Sequence, residues 1–307
     1  MTGHRVPEGV PAMPLEKYLR RAWPLLPGRV IRDALKKKDV RINGARSGAD
    51  AIVQGGDALT LYLGADWLEP LPEILWTDDR LIVAVKPQGL PVDVDRDGVG
   101  ADTLLTRLNR RWPEARLCHR LDAQTGGIVL AAADDGVWEQ AFHAFQAHGV
   151  RKQYHALALG RFERTEGTLD AWLKKDARRA EVRVLHRDAP GAKPIRTLYR
   201  VGEQAAPGLY HVLLEPVTGR THQLRAHMAD FGHPLLGDDH YGDREANRRW
   251  PGVKLCLWHE RLTVPKDSPL EAYRGRTFEA KAPDWLRSIE TWELENARLR
   301  QREYRSS

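Results

Sequence analysis

The stretch CHRLDAQTGG occupies residues 118–127, and the chain continues as an apolar run to Ala132. Residues 127–132 predict a buried strand, and Asp122 stands in the polar segment just before it. A carboxylate there, next to Arg120, is a candidate nucleophile or general base held in a cleft by a loop. The alternative is a turn-forming residue in a surface ion pair. Such ion pairs outnumber catalytic carboxylates, so the residue types alone favour the second interpretation.

Strand patterns dominate the chain around this segment. Short β-like runs, separated by Gly, Pro or charged turns, are predicted at 74–76, 81–85, 154–159, 181–185, 195–201 and 209–215. Between residues 74 and 215, helical spacing occurs at 101–112 and at 134–148, where Phe142 is expected to face inward. Because strands outnumber regularly alternating helices, we predict an α+β fold with a mixed, mostly antiparallel sheet, not a doubly wound parallel one.

Composition excludes several classes of protein. A length of 307 residues indicates about two domains, and 42% hydrophobic residues argue against a disordered chain. No apolar run approaches the roughly 18 residues of a membrane span, and the N-terminus lacks the apolar core of a secretory signal. Two cysteines are too few for a disulfide framework or a four-thiolate zinc site. We therefore expect a cytoplasmic protein with no membrane partner.

The basic residues are clustered along the chain. The formal net charge is only +6, but Lys and Arg concentrate at 32–41, 107–116, 174–187 and 244–249. Each cluster alone is typical of a solvated helix face. Four such clusters in one chain leave a solvated surface and a nucleic-acid partner open on equal terms.

Two patterns resemble metal sites without meeting their requirements. Residues 93–98 imitate the start of a calcium loop, but position 12 is Leu104 instead of an acid. The second pattern groups His222, His227, His233 and His240 with Asp238 and Asp239. Its first two histidines are five residues apart, which does not place them on one face of a helix. Cys118 and His119 are adjacent and point to opposite sides of an extended chain, so the thiol is expected to pack. We predict no metal and no cofactor.

The N-terminal segment has the pattern of a small separate domain. Helical spacing at 15–23 and 29–37 is followed by short strands at 40–42 and 58–63, with Asn43-Gly44 as a tight turn between them. This pattern resembles an S4 RNA-binding domain. The resemblance implies a basic face for phosphate contacts, formed by Arg32, Lys36, Lys37, Lys38 and Arg41. We predict this domain over residues 1–66, followed by an acidic, proline-containing linker at 67–72.

Five further motifs occur in the order typical of the RluA-type RNA pseudouridine synthases. They are Lys86-Pro87-x-Gly89, His119-Arg120-Leu121-Asp122-x-x-Thr125-x-Gly127, Lys152-x-Tyr154-x-Ala156, Gly219-Arg220-Thr221-His222-Gln223-Leu224-Arg225-x-His227 and Gly237-Asp238-x-x-Tyr241-Gly242. The resemblance covers about residues 74–285 and implies a catalytic domain over 67–307, with a charged helix at 288–305. Gly126 departs from the pattern, since the family usually has Ser there.

The resemblance implies a role for each matching residue. Asp122 is the essential carboxylate, Tyr154 the active-site tyrosine and Arg225 the cation that grips the carboxylate. Substrate contacts fall on His119, Arg120, Leu121, Thr125, Arg220 and His222. Thr221 is expected to cap a helix that runs to Phe231 and is stopped by Gly232.

The implied reaction is the isomerisation of uridine to pseudouridine in structured RNA. Ribosomal RNA is favoured and tRNA is compatible, and the protein is expected to act as a monomer. One alternative is a non-catalytic RNA-binding protein on the same fold. Another is a glycosidase, but that reaction normally needs two cooperating carboxylates, and the motifs mark only one.

Overall fold

The computed structural model describes residues 2–64, 67, 71–94, 102–176 and 181–283. Its helices are α1 (Leu15–Ala22), α2 (Gly28–Lys37), α3 (Leu104–Leu108), α4 (Asp135–Gln146), α5 (Gln223–Asp230) and α6 (Arg244–Arg248), with a 3₁₀ turn at Glu271–Tyr273. Its strands are β1 (Thr2–Arg5), β2 (Met13–Pro14), β3 (Val40–Ile42), β4 (Ala45–Ser47), β5 (Ile52–Val53), β6 (Ala58–Leu61), β7 (Glu73–Thr77), β8 (Leu81–Lys86), β9 (Arg116–Leu117), β10 (Gly126–Ala132), β11 (Arg151–Leu159), β12 (Glu166–Asp176), β13 (Glu181–Leu185), β14 (Ala192–Ala206), β15 (Leu209–Pro216), β16 (Leu257–Thr263) and β17 (Thr277–Glu279).

The chain forms two compact units. Among the described residues, the first unit holds 2–123 and 129–138, and the second holds 124–128 and 139–283. The first unit thus contains the whole N-terminal segment and continues past residue 66. The predicted domain boundary after residue 66 stays a prediction. The predicted helix at 288–305 and residues 68–70 of the predicted linker lie outside the described residues. No helix among those residues is long and apolar enough to cross a membrane.

The N-terminal part of the first unit packs α1 and α2 beside a four-stranded sheet of order β1-β6-β3-β4. Both helices are amphipathic, and Leu19 and Ile31 are among the residues that form a common core. Asn43 and Gly44 adopt positive φ angles, as a two-residue hairpin turn requires. This turn joins β3 to β4, not to β6 as predicted, because so short a turn returns the chain to its immediate neighbour. Strand β4 is too short and polar to show a pattern in the sequence.

The remainder of the first unit contains β7, β8, β9 and the end of β10, where β8 is buried along its length. Helix α3 is shorter than the predicted 101–112. It begins after Thr103, whose side chain accepts a hydrogen bond from the Thr106 amide in a capping box. Helix α4 buries Val137, but Phe142 is 39% exposed, so its predicted inward orientation is wrong.

The second unit is built on a sheet of order β13-β12-β14-β15-β11-β16-β10, with β17 beside β16. Its neighbouring strands run antiparallel, except for the start of β10, which is parallel to β16. The predicted mostly antiparallel sheet is confirmed. Helix α5 covers one face through Ala226, which packs with Leu173 and Ile195. Tyr154 on β11 lies on this same face of the sheet. It is paired with Leu214 on β15, and Leu214 is paired with Tyr199 on β14. Tyr199 is four residues from Ile195 along β14, and side chains an even number of residues apart share a face.

Candidate active site

The Asp122 segment is a partly buried loop that leads from β9 into β10. Nε2 of His119 accepts a hydrogen bond from the Leu130 amide at 3.1 Å, which ties the start of the loop to β10. Leu121 is buried and anchors the next position, whereas Arg120 is exposed. The side chains beside Asp122 therefore alternate between attachment to the protein and exposure to solvent.

A buried lysine fixes the backbone on the other side of Asp122. Lys86 ends β8, and its Nζ donates hydrogen bonds to the carbonyl oxygens of Pro87 (3.1 Å), Leu90 (2.7 Å) and Ala123 (2.9 Å). An ammonium has three donors, so these three carbonyls use all of them. Burial lowers the pKa of Lys86 to about 7, and the charge of Asp122 opposes that change. Lys86 thus holds the backbone of the residue that follows Asp122 and places a positive charge near the Asp122 carboxylate.

The glycine at the start of β10 allows a close backbone approach. Gly127 has a φ of +110°, and a Cβ atom there would lie 2.2 Å from the carbonyl oxygen of His259 on β16. A side chain at this position is excluded both by the conformation and by the contact. Thr125, just before it, is buried. The glycine of the motif therefore has a structural reason in this chain.

Tyr154 lies on β11 and is packed against a histidine that no sequence motif marks. The rings of Tyr154 and His259 stack with their centroids 4.5 Å apart and an angle of 13° between planes. Nδ1 of His259 donates to the Ile128 carbonyl oxygen at 2.7 Å. Burial lowers the pKa of His259 to about 3, so the ring is neutral. In the sequence, His259 is one residue of a strand of mixed polarity, Leu257–Thr263, and nothing there signals this contact.

Arg225 forms a buried ion pair with Asp238. Its Nε and Nη2 atoms each donate to a different carboxylate oxygen of Asp238 at 2.8 Å. Asp238 also accepts from the amides of His240 and Tyr241. Burial raises the pKa of Asp238, but the hydrogen bonds and charge of Arg225 outweigh burial and hold the pKa below its usual value. Two nitrogens of Arg225 thus contact Asp238, a residue of the fifth sequence motif, and the expected contact of Arg225 with Asp122 stays a prediction.

The start of α5 differs from the prediction. His222, not Thr221, is the N-cap residue, with a left-handed φ of +54° and no capping side chain. Its Nδ1 lies 2.9 Å from the hydroxyl of Tyr241, which accepts from the Val182 amide. The Gln223 side chain instead holds the turn before the helix, because its Oε1 accepts from the Arg220 amide at 3.1 Å. The predicted end is confirmed, since Gly232 follows the C-cap residue with a φ of +87°.

The site residues predicted from sequence divide between the two units. His119, Arg120, Leu121 and Asp122 belong to the first unit, and Thr125, Tyr154, Arg220, His222 and Arg225 belong to the second. The basic residues Arg32, Lys36, Lys37 and Lys38 are exposed on and just after α2. Arg41 lies on β3, with its guanidinium 4.9 Å from the ring centroid of the exposed Tyr62. Cys118 is buried, which raises its pKa to about 12, as a packing role predicts.

Comparisons with known proteins identify relatives over most of the chain. A family model described as RNA pseudouridylate synthase matches residues 80–230. The dual-specificity RNA pseudouridine synthase RluA of Escherichia coli (strain K12) is 37% identical over 216 residues, which cover 70% of this chain and 94% of that protein. The ribosomal large subunit pseudouridine synthase C of Rickettsia prowazekii is 30% identical over 75% of this chain and 82% of its own length.

Two solved human structures are also similar. RNA pseudouridylate synthase domain containing 1 has a TM-score of 0.54 and 27% identity, covering 71% of this chain and 94% of its own. RNA pseudouridylate synthase domain containing 4, at 24% identity, has a TM-score of 0.57, covers 69% of this chain and 89% of its own, and shows the fold. This chain therefore belongs to the RluA-type RNA pseudouridine synthases, isomerases that convert uridine to pseudouridine in RNA.

Proposed function

We propose that this enzyme isomerises specific uridines of ribosomal RNA, with Asp122 as the essential carboxylate. The observation that supports this role best is the way its loop is held. Lys86 binds the carbonyl of Ala123, the residue after Asp122. His119, three residues before Asp122, binds the Leu130 amide of β10. A reacting carboxylate needs this kind of support, because a small displacement from the substrate greatly reduces the rate.

The reaction breaks the bond between N1 and C1′ of uridine, turns the base and joins it again through C5. The carboxylate either adds to C1′ or removes a proton from the sugar, and both routes require it to be ionised. Partial burial disfavours that charge, and a nearby cation favours it. Lys86 is such a cation in the first unit, and Arg225 is proposed to act in the same direction.

Tyr154 is proposed to stack on the uracil of the bound nucleotide, with its hydroxyl near C5, where a proton leaves after the bond re-forms. His259 supports one face of the ring. The target uridine has to leave its stack to reach these groups. The exposed Arg120, beside Asp122, is proposed to fill the space that the base vacates.

The N-terminal segment is proposed to be an S4-like RNA-binding domain. Its helices, its β3–β4 hairpin and the exposed basic residues of α2 support this assignment. Phosphate contacts by Arg32, Lys36, Lys37, Lys38 and Arg41 would orient a large structured RNA without reading its sequence. A relative named for the large ribosomal subunit favours ribosomal RNA, and a relative named as dual-specificity keeps tRNA as the second candidate.

The test uses transcripts of ribosomal RNA and tRNA made with uridine tritiated at C5. The purified protein should release tritium from ribosomal RNA, and mapping should place pseudouridine at a small number of positions. Asp122→Asn protein is the matched control and should release none. Tritium release from tRNA alone would make tRNA the substrate in place of ribosomal RNA. Release from neither RNA would favour a non-catalytic RNA-binding protein.

A further inference from the structure

Lys152 is a buried lysine whose charge has no partner among the described residues. It lies on β11 two residues before Tyr154, on the same face of the strand, and is 8% exposed. Across the described ranges, its ammonium makes no hydrogen bond or ion pair, and its one ring contact is with Phe145, at 5.9 Å from the centroid. Burying an unpaired charge is costly, so such a residue indicates a partner outside the polypeptide.

The surroundings of Lys152 are basic. A Cβ atom built on Gly219 would lie 3.6 Å from its Nζ, which is ordinary contact distance, so the ammonium lies beside the backbone of Gly219. The next residue, Arg220, is exposed, and its guanidinium has no carboxylate partner in the part of the chain that the structure describes. Burial lowers the pKa of His148, and the charges of Lys152 and Arg220 lower it further. These three side chains therefore share a region of positive potential.

We propose that Lys152 and Arg220, with His148 at the edge, bind a phosphodiester of the RNA beside the uridine that stacks on Tyr154. The proposal rests on the proposed role of Tyr154. A phosphodiester is the anion that every RNA substrate carries, and its oxygens suit both the compact ammonium and the forked guanidinium. Residues two apart on a strand are about 6.6 Å apart. The phosphate would thus belong to the target nucleotide or to its neighbour.

Binding to a fluorescein-labelled nine-nucleotide oligouridylate, measured by anisotropy at several salt concentrations, tests this assignment without turnover. Lys152→Met should bind about tenfold more weakly at low salt. Its log–log salt dependence should become shallower by about 0.7, the value for one phosphate of a single strand. Lys152→Arg should retain most of the affinity. Lys281→Met, which changes an exposed lysine outside the site, should bind like the unaltered protein.

Two further measurements separate this role from a structural one. The melting temperature of Lys152→Met should equal or exceed that of the unaltered protein, because the variant removes a buried unpaired charge. An oligouridylate with neutral methylphosphonate linkages should lose affinity for the unaltered protein and lose less for Lys152→Met. Equal salt slopes in the two proteins, or no binding of the oligouridylate by the unaltered protein, would overturn the phosphate site.

The experiments let the phosphate site and the catalytic role of Asp122 fail separately. A salt-slope effect in a protein that releases no tritium would leave the phosphate site standing and reject the catalytic assignment. Normal tritium release with no slope effect would do the reverse.

Discussion

Lys86 and Lys152 are both buried lysines on the strands of this enzyme, yet their surroundings are opposite. Lys86 donates to three carbonyl oxygens, one of them on the residue after Asp122. Lys152 has no hydrogen-bond or ion-pair partner among the residues that the structure describes. The first lysine is satisfied by the fold and organises it, whereas the second is left for a ligand. Both residues are buried lysines, so the neighbouring acceptors distinguish the two roles.

The largest effect on activity is expected at Asp122, whose loop is held by Lys86. Asp122→Asn should abolish tritium release, because the amide keeps the size of the side chain and loses its charge and nucleophilicity. Affinity for RNA and the melting temperature should stay close to those of the unaltered protein. Measurable turnover by this variant, in a preparation free of unaltered enzyme, would remove Asp122 from the centre of the reaction.

Lys86→Met should sharpen the contrast between the two lysines. We expect a loss of stability of about 3 kcal/mol, since three carbonyls lose their donors, and a fall in kcat of about 100-fold or more. The pKa of Lys86 is about 7 in the folded protein, below the ordinary value of 10.5 in the unfolded chain. Between these two pH values the unfolded state binds more protons, so the free energy of unfolding of the unaltered protein rises with pH. Urea unfolding at pH 7 and pH 9 measures both effects, with Lys152→Met as control. Equal stability of the two variants would break the comparison.

Arg225→Lys should lower the rate substantially and also destabilise the protein by about 2 kcal/mol. Lysine keeps the charge but loses the two-point contact with the buried Asp238. RNA affinity should change little. Thermal unfolding and steady-state kinetics on one substrate separate the two effects. A stable variant with a near-normal rate would show that the Asp238 pair is dispensable.

His259→Ala should reduce kcat about fivefold and leave RNA affinity nearly unchanged. The substitution removes the ring against which Tyr154 stacks, so the tyrosine is held less firmly. The matched variant His259→Phe restores an aromatic neighbour and should recover part of the rate, although it cannot donate to the Ile128 carbonyl. An increase in KM with constant kcat would point to substrate binding instead of positioning.

The smallest effect on catalysis is expected from the N-terminal basic residues. Replacing Lys36, Lys37 and Lys38 with alanine should leave kcat on a short stem-loop unchanged, because these residues are exposed on and after α2. Binding to full-length ribosomal RNA should weaken, and its salt slope should become shallower by about 0.7 to 0.9 for each phosphate that the variant no longer binds. Unchanged slopes would mean that this basic surface is only solvated.

The sequence determined the local structure and the family of this protein. Periodicity located α1, α2 and most strands within a few residues, because apolar spacing reports which side of an element is buried. The motif around Asp122 indicated the chemistry. Where the start of a helix depends on a particular hydrogen bond, as at Thr103, spacing alone placed that start wrongly.

Only the tertiary structure decided how the buried charges and rings are partnered. Lys86 finds its acceptor 37 residues away at Ala123, Arg225 is bound by Asp238, and His259 supports Tyr154 from another strand. No regular separation along the chain predicts these pairs. Their energies depend on distance and on the exclusion of water, and both are set when remote segments pack together.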